Sequence, residues 1–234
     1  MGWVVLGSAV AAGGMTGFWL RRWAAIYAMR LDAGAPATAS TLWGAAAAAG
    51  AQSVRWAPDG AAAVLLGGVA GWLALDGALN LVPLALGLAA LAWLDAHSGL
   101  LPDALTGPLM VLGWGLGTQH AGVAAGASAL TWLVLTGLAW LYRRWRGRDG
   151  FGGGDAKCLA ALAGWLGLDA AAGILWLACV LGVLVWLGRR HGWHDACPFG
   201  PCIALAAGLW LLTPCGIGPW GAGPGGALAV QSWF

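Results

Sequence analysis

Apolar runs of roughly 15 to 20 residues recur along almost the whole chain, separated by short gaps rich in Gly, Pro and charge. A helix of about 20 apolar residues matches the roughly 30 Å hydrocarbon core of a bilayer. The chain has 234 residues, of which 60% are hydrophobic and 9% charged, and its mean hydropathy is +0.77, outside the range of a water-soluble domain. The expected fold class is therefore an all-α membrane protein, a polytopic bundle of about eight transmembrane helices. The runs place spans near 1–20, 60–77, 78–94, 104–119, 125–142, 155–168, 170–187 and 199–213.

These runs divide the chain into an N-terminal helix with a short cytoplasmic segment (1–59), a transmembrane bundle (60–213) and a C-terminal tail (214–234). Met1 to Leu20 lacks a basic stretch ahead of its apolar run and is followed by Arg21 and Arg22, so it reads as a membrane helix rather than a secretory signal.

The net charge is only +2, and the placement of the charges is more informative than their sum. Arg21, Arg22, Arg30 and Arg55 form one group, Arg143, Arg144, Arg146 and Arg148 with Lys157 a second, and Arg189 with Arg190 a third. If the first helix enters from outside, alternation puts all eleven basic residues on the cytoplasmic side, as the positive-inside bias requires. The Ala-rich stretch Pro36 to Gly50 must then stay on that face, and its composition fits a short packed helix. A nucleic-acid partner would require a soluble basic face and is not expected. The cysteines Cys158, Cys179, Cys197, Cys202 and Cys215 include no CxxC pair, so no zinc ribbon or redox centre is indicated, and small apolar fillers are expected.

All nine acids are Asp. Asp32, Asp59, Asp149, Asp169 and Asp195 fall in expected loops, and Asp76 caps an external turn. Asp95 differs, ending the run Leu81 to Leu94, and so does Asp155, which opens the run through Leu168. Each meets the membrane at its cytoplasmic edge, where an ionisable group is costly and usually faces a bundle interior or wet cavity. Two carboxylates brought together in such a place share one proton. The ionised one can then activate water while the protonated one polarises a scissile carbonyl. Phe151-Gly152-Gly153-Gly154 places flexible backbone directly before Asp155, which lets a substrate strand approach. By itself this loop is equally a linker whose Asp155 caps the next helix.

Three blocks go further. Gly152-Gly153-Gly154-Asp155-Ala156-Lys157, with Leu159 to Gly167 after it, closely resembles the GxGD block of bacterial type IV prepilin peptidases. Asp95-Ala96-His97-Ser98-Gly99-Leu100-Leu101-Pro102-Asp103-Ala104-Leu105-Thr106-Gly107-Pro108-Leu109 is similar to that family's first aspartate block. Pro198-Phe199-Gly200-Pro201 is similar to its entry to a late helix. The resemblance, over roughly Leu79 to Leu212, implies a membrane aspartyl endopeptidase that cuts the leader peptide of prepilins or pseudopilins at the cytoplasmic face of the bacterial inner membrane. It implies catalytic roles for Asp95 and Asp155, with Gly152, Gly154, Lys157 and Asp103 as substrate-binding or supporting residues. Asp103, which follows Pro102, also suits a helix N-cap. No cofactor or metal is implied, and His97 has no second ligand at helical spacing. The expected partners are the prepilin-like substrate and the lipid bilayer, and the sequence is silent on oligomeric state.

The chain also departs from the family. Many members carry two CxxC pairs in a cytoplasmic domain after the first helix and methylate the new pilin N-terminus, whereas Arg21 to Pro58 contains no cysteine. Gly13 to Arg21 is only faintly similar to the family's first-helix motif. A peptidase without methyltransferase activity is expected. Two rivals stand beside it. Presenilin-like GxGD proteases place Tyr before their first Asp, where this chain has Leu94. A transporter or non-enzymatic pilus-assembly subunit would use the aspartates to carry protons or cap helices, and would hold them too far apart to share a water.

Overall fold

The computed structural model describes residues 2–49, 68, 69, 71, 73, 78–147, 151–189 and 198–212. Every regular element among them is helical. The chain divides into two compact units, Met1–Ala104 and Leu105–Phe234. Expectations about Arg55, Asp59, Asp76, Arg148, Asp149, the segment 190–197 and the tail 214–234 lie outside the described residues, as does most of the expected span 60–77.

The first unit contains α1 (Gly2–Asp32), α2 (Ala39–Ala49), a single 3-10 turn (Leu79–Leu81) and α3 (Val82–Ser98). Helix α1 continues well past the expected limit at Leu20. Arg21 and Arg22 mark a charge boundary without being helix breakers, and the Ala, Leu, Met and Arg that follow are strong helix formers. The chain turns only at Gly34, where φ is 85°. The extension is a packing surface: Arg22, Trp23, Ala24 and Tyr27 are all buried. Helix α2 closes against α1, its buried Leu42, Ala45, Ala46 and Ala49 leaving little side chain between the backbones. The Trp23 indole N–H donates to the Leu42 carbonyl at 2.8 Å. Thr38 caps α2, its hydroxyl accepting from the Thr41 N–H at 3.4 Å. The Ala-rich stretch is thus a short helix packed on α1, as its composition suggested, and α3 also packs along α1.

The second unit contains most of α4 (Asp103–Leu116), then α5 (Ala121–Arg146), α6 (Gly153–Leu166), α7 (Leu168–Arg189) and α8 (Gly200–Leu212). Helix α6 is its centre. From Ala156 to Trp165 every residue except Lys157 is buried, and the helix packs on both α5 and α7. Small side chains make this close contact possible, since lipid offers no hydrophobic drive for helix association. By contrast, α5 and α7 turn large apolar side chains outward: Leu133, Leu138, Trp140 and Trp145 on α5, and Trp176, Val183, Leu184 and Leu187 on α7. Exposed apolar surface of this extent marks a lipid-facing wall rather than a water-facing one.

Three helical stretches among the described residues are long and apolar enough to cross a membrane: Leu79–Ser98, Ala121–Arg146 and Leu168–Gly188. The expected spans near 104–119 and 155–168 correspond to α4 and α6, helices of 14 residues each. Cys158 and Cys202 are buried, as small apolar fillers would be, and Cys179 is exposed.

Candidate active site

In the first unit, the residue of interest sits at the end of an apolar helix. Helix α3 starts with Pro83 in its first turn, where a missing N–H costs nothing, and ends at Gly99, whose φ of 63° suits glycine. The Gly99 N–H donates to the Asp95 carbonyl at 2.8 Å. The Ser98 hydroxyl donates to the Leu94 carbonyl at 2.7 Å, and His97 Nδ1 lies 2.8 Å from the Trp93 carbonyl. The last turn therefore satisfies its own carbonyls locally.

The Asp95 side chain is only 5% exposed, with buried Leu91 and Leu94 beside it on the helix. The C-terminal end of a helix carries partial negative charge, and a carboxylate there gains nothing for the helix itself. Burial adds a desolvation cost. Helix polarity and desolvation thus both count against a charge at this position. Asp103 is different: it is exposed and opens α4 in the first turn, where an acid complements the helix dipole. His97 is exposed and turned back on its own helix.

In the second unit, Gly152 is the N-cap of α6, with φ −68° and ψ 130°. Its carbonyl accepts from the N–H groups of Asp155, at 3.1 Å, and Ala156, at 3.3 Å. Asp155 is the third residue of the helix, and its carboxylate folds back over the cap. A Cβ added to Gly152 would lie 2.7 Å from Asp155 Oδ2 and 3.5 Å from its carboxyl carbon. Only glycine leaves that space. Oδ1 of the same carboxylate is sealed from solvent. At this end the helix dipole favours negative charge, opposite to the situation of Asp95. Gly153 is exposed, and a Cβ there would meet nothing within 4 Å. Gly154 and Lys157 are half-buried. Lys157, two residues past Asp155, leaves the helix on a different side.

The helix that carries Asp155 is anchored at its far end by contacts the sequence did not announce. Trp165 is fully buried, and its indole N–H donates to the Leu109 carbonyl of α4 at 2.7 Å. Its ring lies against Gly113, where a Cβ would sit 2.6 Å from Cδ1. The Trp165 carbonyl accepts from both the N–H (2.9 Å) and the hydroxyl (3.1 Å) of Thr118. Immediately beside this lock, Trp114 donates to the buried Ser128 hydroxyl of α5 at 3.0 Å, across the bare backbone of Gly164. A Gly facing a Trp was the available signal, but among 41 glycines and 18 tryptophans it could not be singled out.

Asp95 and Asp155 thus stand at helix ends of opposite polarity, each in its own compact unit.

Comparison with known proteins gives a consistent picture. Residues 82–187 match the model of the type IV leader peptidase family. A prepilin leader peptidase/N-methyltransferase of Burkholderia pseudomallei (strain 1026b) is 38% identical over 161 residues, covering 62% of this chain and 52% of the relative. The proteins of the same name from Aeromonas hydrophila and Dichelobacter nodosus are each 36% identical. The first aligns over 149 residues, 57% of this chain and 49% of its own length, and the second over 148, 58% and 52%. The chain spans about half the length of the curated relatives it matches. No solved structure matches it significantly.

Proposed function

Since residues 82–187 match the model of the type IV leader peptidase family, we propose that the chain is a membrane aspartyl endopeptidase that removes the leader peptide of a prepilin or pseudopilin-like substrate. The observation that carries the reading is Asp95, a carboxylate 5% exposed on an apolar helix, at the end where helix polarity opposes it. The relatives' printed name supports the same activity.

In the proposed reaction Asp95 and Asp155 act as a pair. Asp155, at the positive end of α6, is the ionised partner and takes a proton from water as the water attacks the scissile carbonyl. Asp95 supplies the proton that polarises that carbonyl. Collapse of the tetrahedral intermediate breaks the C–N bond, and the leaving amine takes up a proton to become the new N-terminus. The leader departs with a C-terminal carboxylate. Gly152 at the cap and Gly153 and Gly154 in the first turn of α6 let an extended substrate backbone lie close to Asp155, and Lys157 and Asp103 contact the charged leader. The helices form a bundle of about eight spans in the bacterial inner membrane, with the site open to the cytoplasm, where the positive-inside bias places Arg143, Arg144 and Arg146.

The test is to incubate the purified protein with prepilins from the same cell and read the new N-termini by mass spectrometry. Cleavage by the parent, lost in both Asp95→Asn and Asp155→Asn at matched expression, is expected. Retained cleavage in either variant would overturn the mechanism. The same spectra report methylation, and unmethylated termini are expected.

A further inference from the structure

The cap and first turn of α6, just before Asp155, carry no side chains of their own. They are Gly152, Gly153 and Gly154, and glycine gives up more backbone freedom on ordering than any other residue. The nearest side chain upstream is Phe151, which is half-buried. Its ring meets that of Phe199 edge to face, with centroids 6.3 Å apart and planes at 68°, a geometry that the ring quadrupoles favour.

Phe199 is itself fixed. It immediately precedes α8, and its carbonyl accepts from the Ile203 N–H at 3.1 Å, so its backbone belongs to the helix start. On one side its ring lies against α7 at Gly182, where a Cβ would sit 3.4 Å from Cε2. On another side it lines an apolar cavity of about 310 Å³, walled also by Cys179, Val183, Trp186 and Cys202. With open space beside it, the ring keeps its place through the α7 backbone and Phe151.

We propose that Phe199 and Phe151 form an aromatic clamp that positions Asp155, Phe199 acting as a positioning residue through Phe151 and the Gly152 cap. The inference rests on the reading of Asp155 as a catalytic carboxylate. The clamp ties the glycine run to the start of α8, so that the Gly152 carbonyl, on which the first N–H groups of α6 depend, stays where the carboxylate needs it.

The test uses the full chain reconstituted in membranes. Phe151→Leu and Phe199→Leu keep apolar bulk but remove the ring edge, and each should lower kcat about 2- to 10-fold with KM little changed. The double variant should be no slower than the slower single one, and Phe199→Tyr should restore the parent rate. A second readout does not need activity: a spin label at Gly153→Cys, with the five native cysteines replaced, should become more mobile in Phe199→Leu. Additive losses in the double variant, a loss confined to KM, or unchanged label mobility would overturn the clamp. If the parent cleaves no prepilin, the peptidase reading fails while the label still decides the clamp.

Discussion

The carboxylate of Asp155 occupies the space that a side chain at Gly152 would need, since a Cβ there would fall 2.7 Å from Oδ2. The neighbouring Gly153 faces open space. Gly152→Ala must therefore displace the carboxylate or the cap, whereas Gly153→Ala displaces nothing. The first should reduce leader cleavage on the order of 10²-fold, the scale for a misplaced catalytic group, and the second should stay within about 2-fold. Rates for the two variants, at equal protein, check this.

The opposite helix polarities at the two aspartates predict opposite effects on stability. Asp155→Asn removes a charge that the N-terminus of α6 favours and should cost about 0.3–1 kcal/mol. Asp95→Asn removes a charge that the C-terminus of α3 disfavours, so the helix-dipole contribution to its stability change should have the opposite sign. Both should be inactive. Thermal unfolding in one detergent, run beside the cleavage assay, tests the contrast.

The lock between α4 and α6 should be essential to the fold. Trp165→Phe removes the indole hydrogen bond to the Leu109 carbonyl, at a cost of about 0.5–1.5 kcal/mol. Gly113→Ala forces a methyl group to within contact of the Trp165 ring and should cost about 1–3 kcal/mol. Because both changes act through one contact, the double variant should lose less than the sum of the two. Chemical or thermal denaturation of the four proteins tests the coupling.

The proposed orientation is open to direct labelling. In a background without native cysteines, His120→Cys, at the exposed start of α5, should react with a membrane-impermeant maleimide in spheroplasts. Trp145→Cys, 85% exposed near the other end, should react only after lysis. The reverse pattern would invert the topology.

Much of this was legible in the sequence. Apolar runs gave the helices of α3, α5 and α7, because hydropathy is a property of composition over a window. Asp95 and Asp155 stood out because a charge at the edge of such a run is rare. Other features depend on which residue faces which, and sequence spacing does not carry that. The continuation of α1 past Arg22 was hidden because a change of charge was read as the end of a helix, although no breaker occurs before Gly34. The seat of Trp165 on Gly113 links positions 52 residues apart, with nothing local to announce it. Phe151 looked like a loop residue, and only its ring partner Phe199, at the start of α8, gives it work.

Helix α6 has 14 residues and so rises about 21 Å, some 9 Å less than the hydrocarbon it would have to cross in the proposed bundle. Helix α6 meets little lipid of its own, because α5 and α7, 26 and 22 residues long, pack against it and turn their large apolar side chains outward. In the proposed bundle the shortfall is therefore met by protein rather than by a thinned bilayer, and the rate of leader cleavage should change little with lipid chain length.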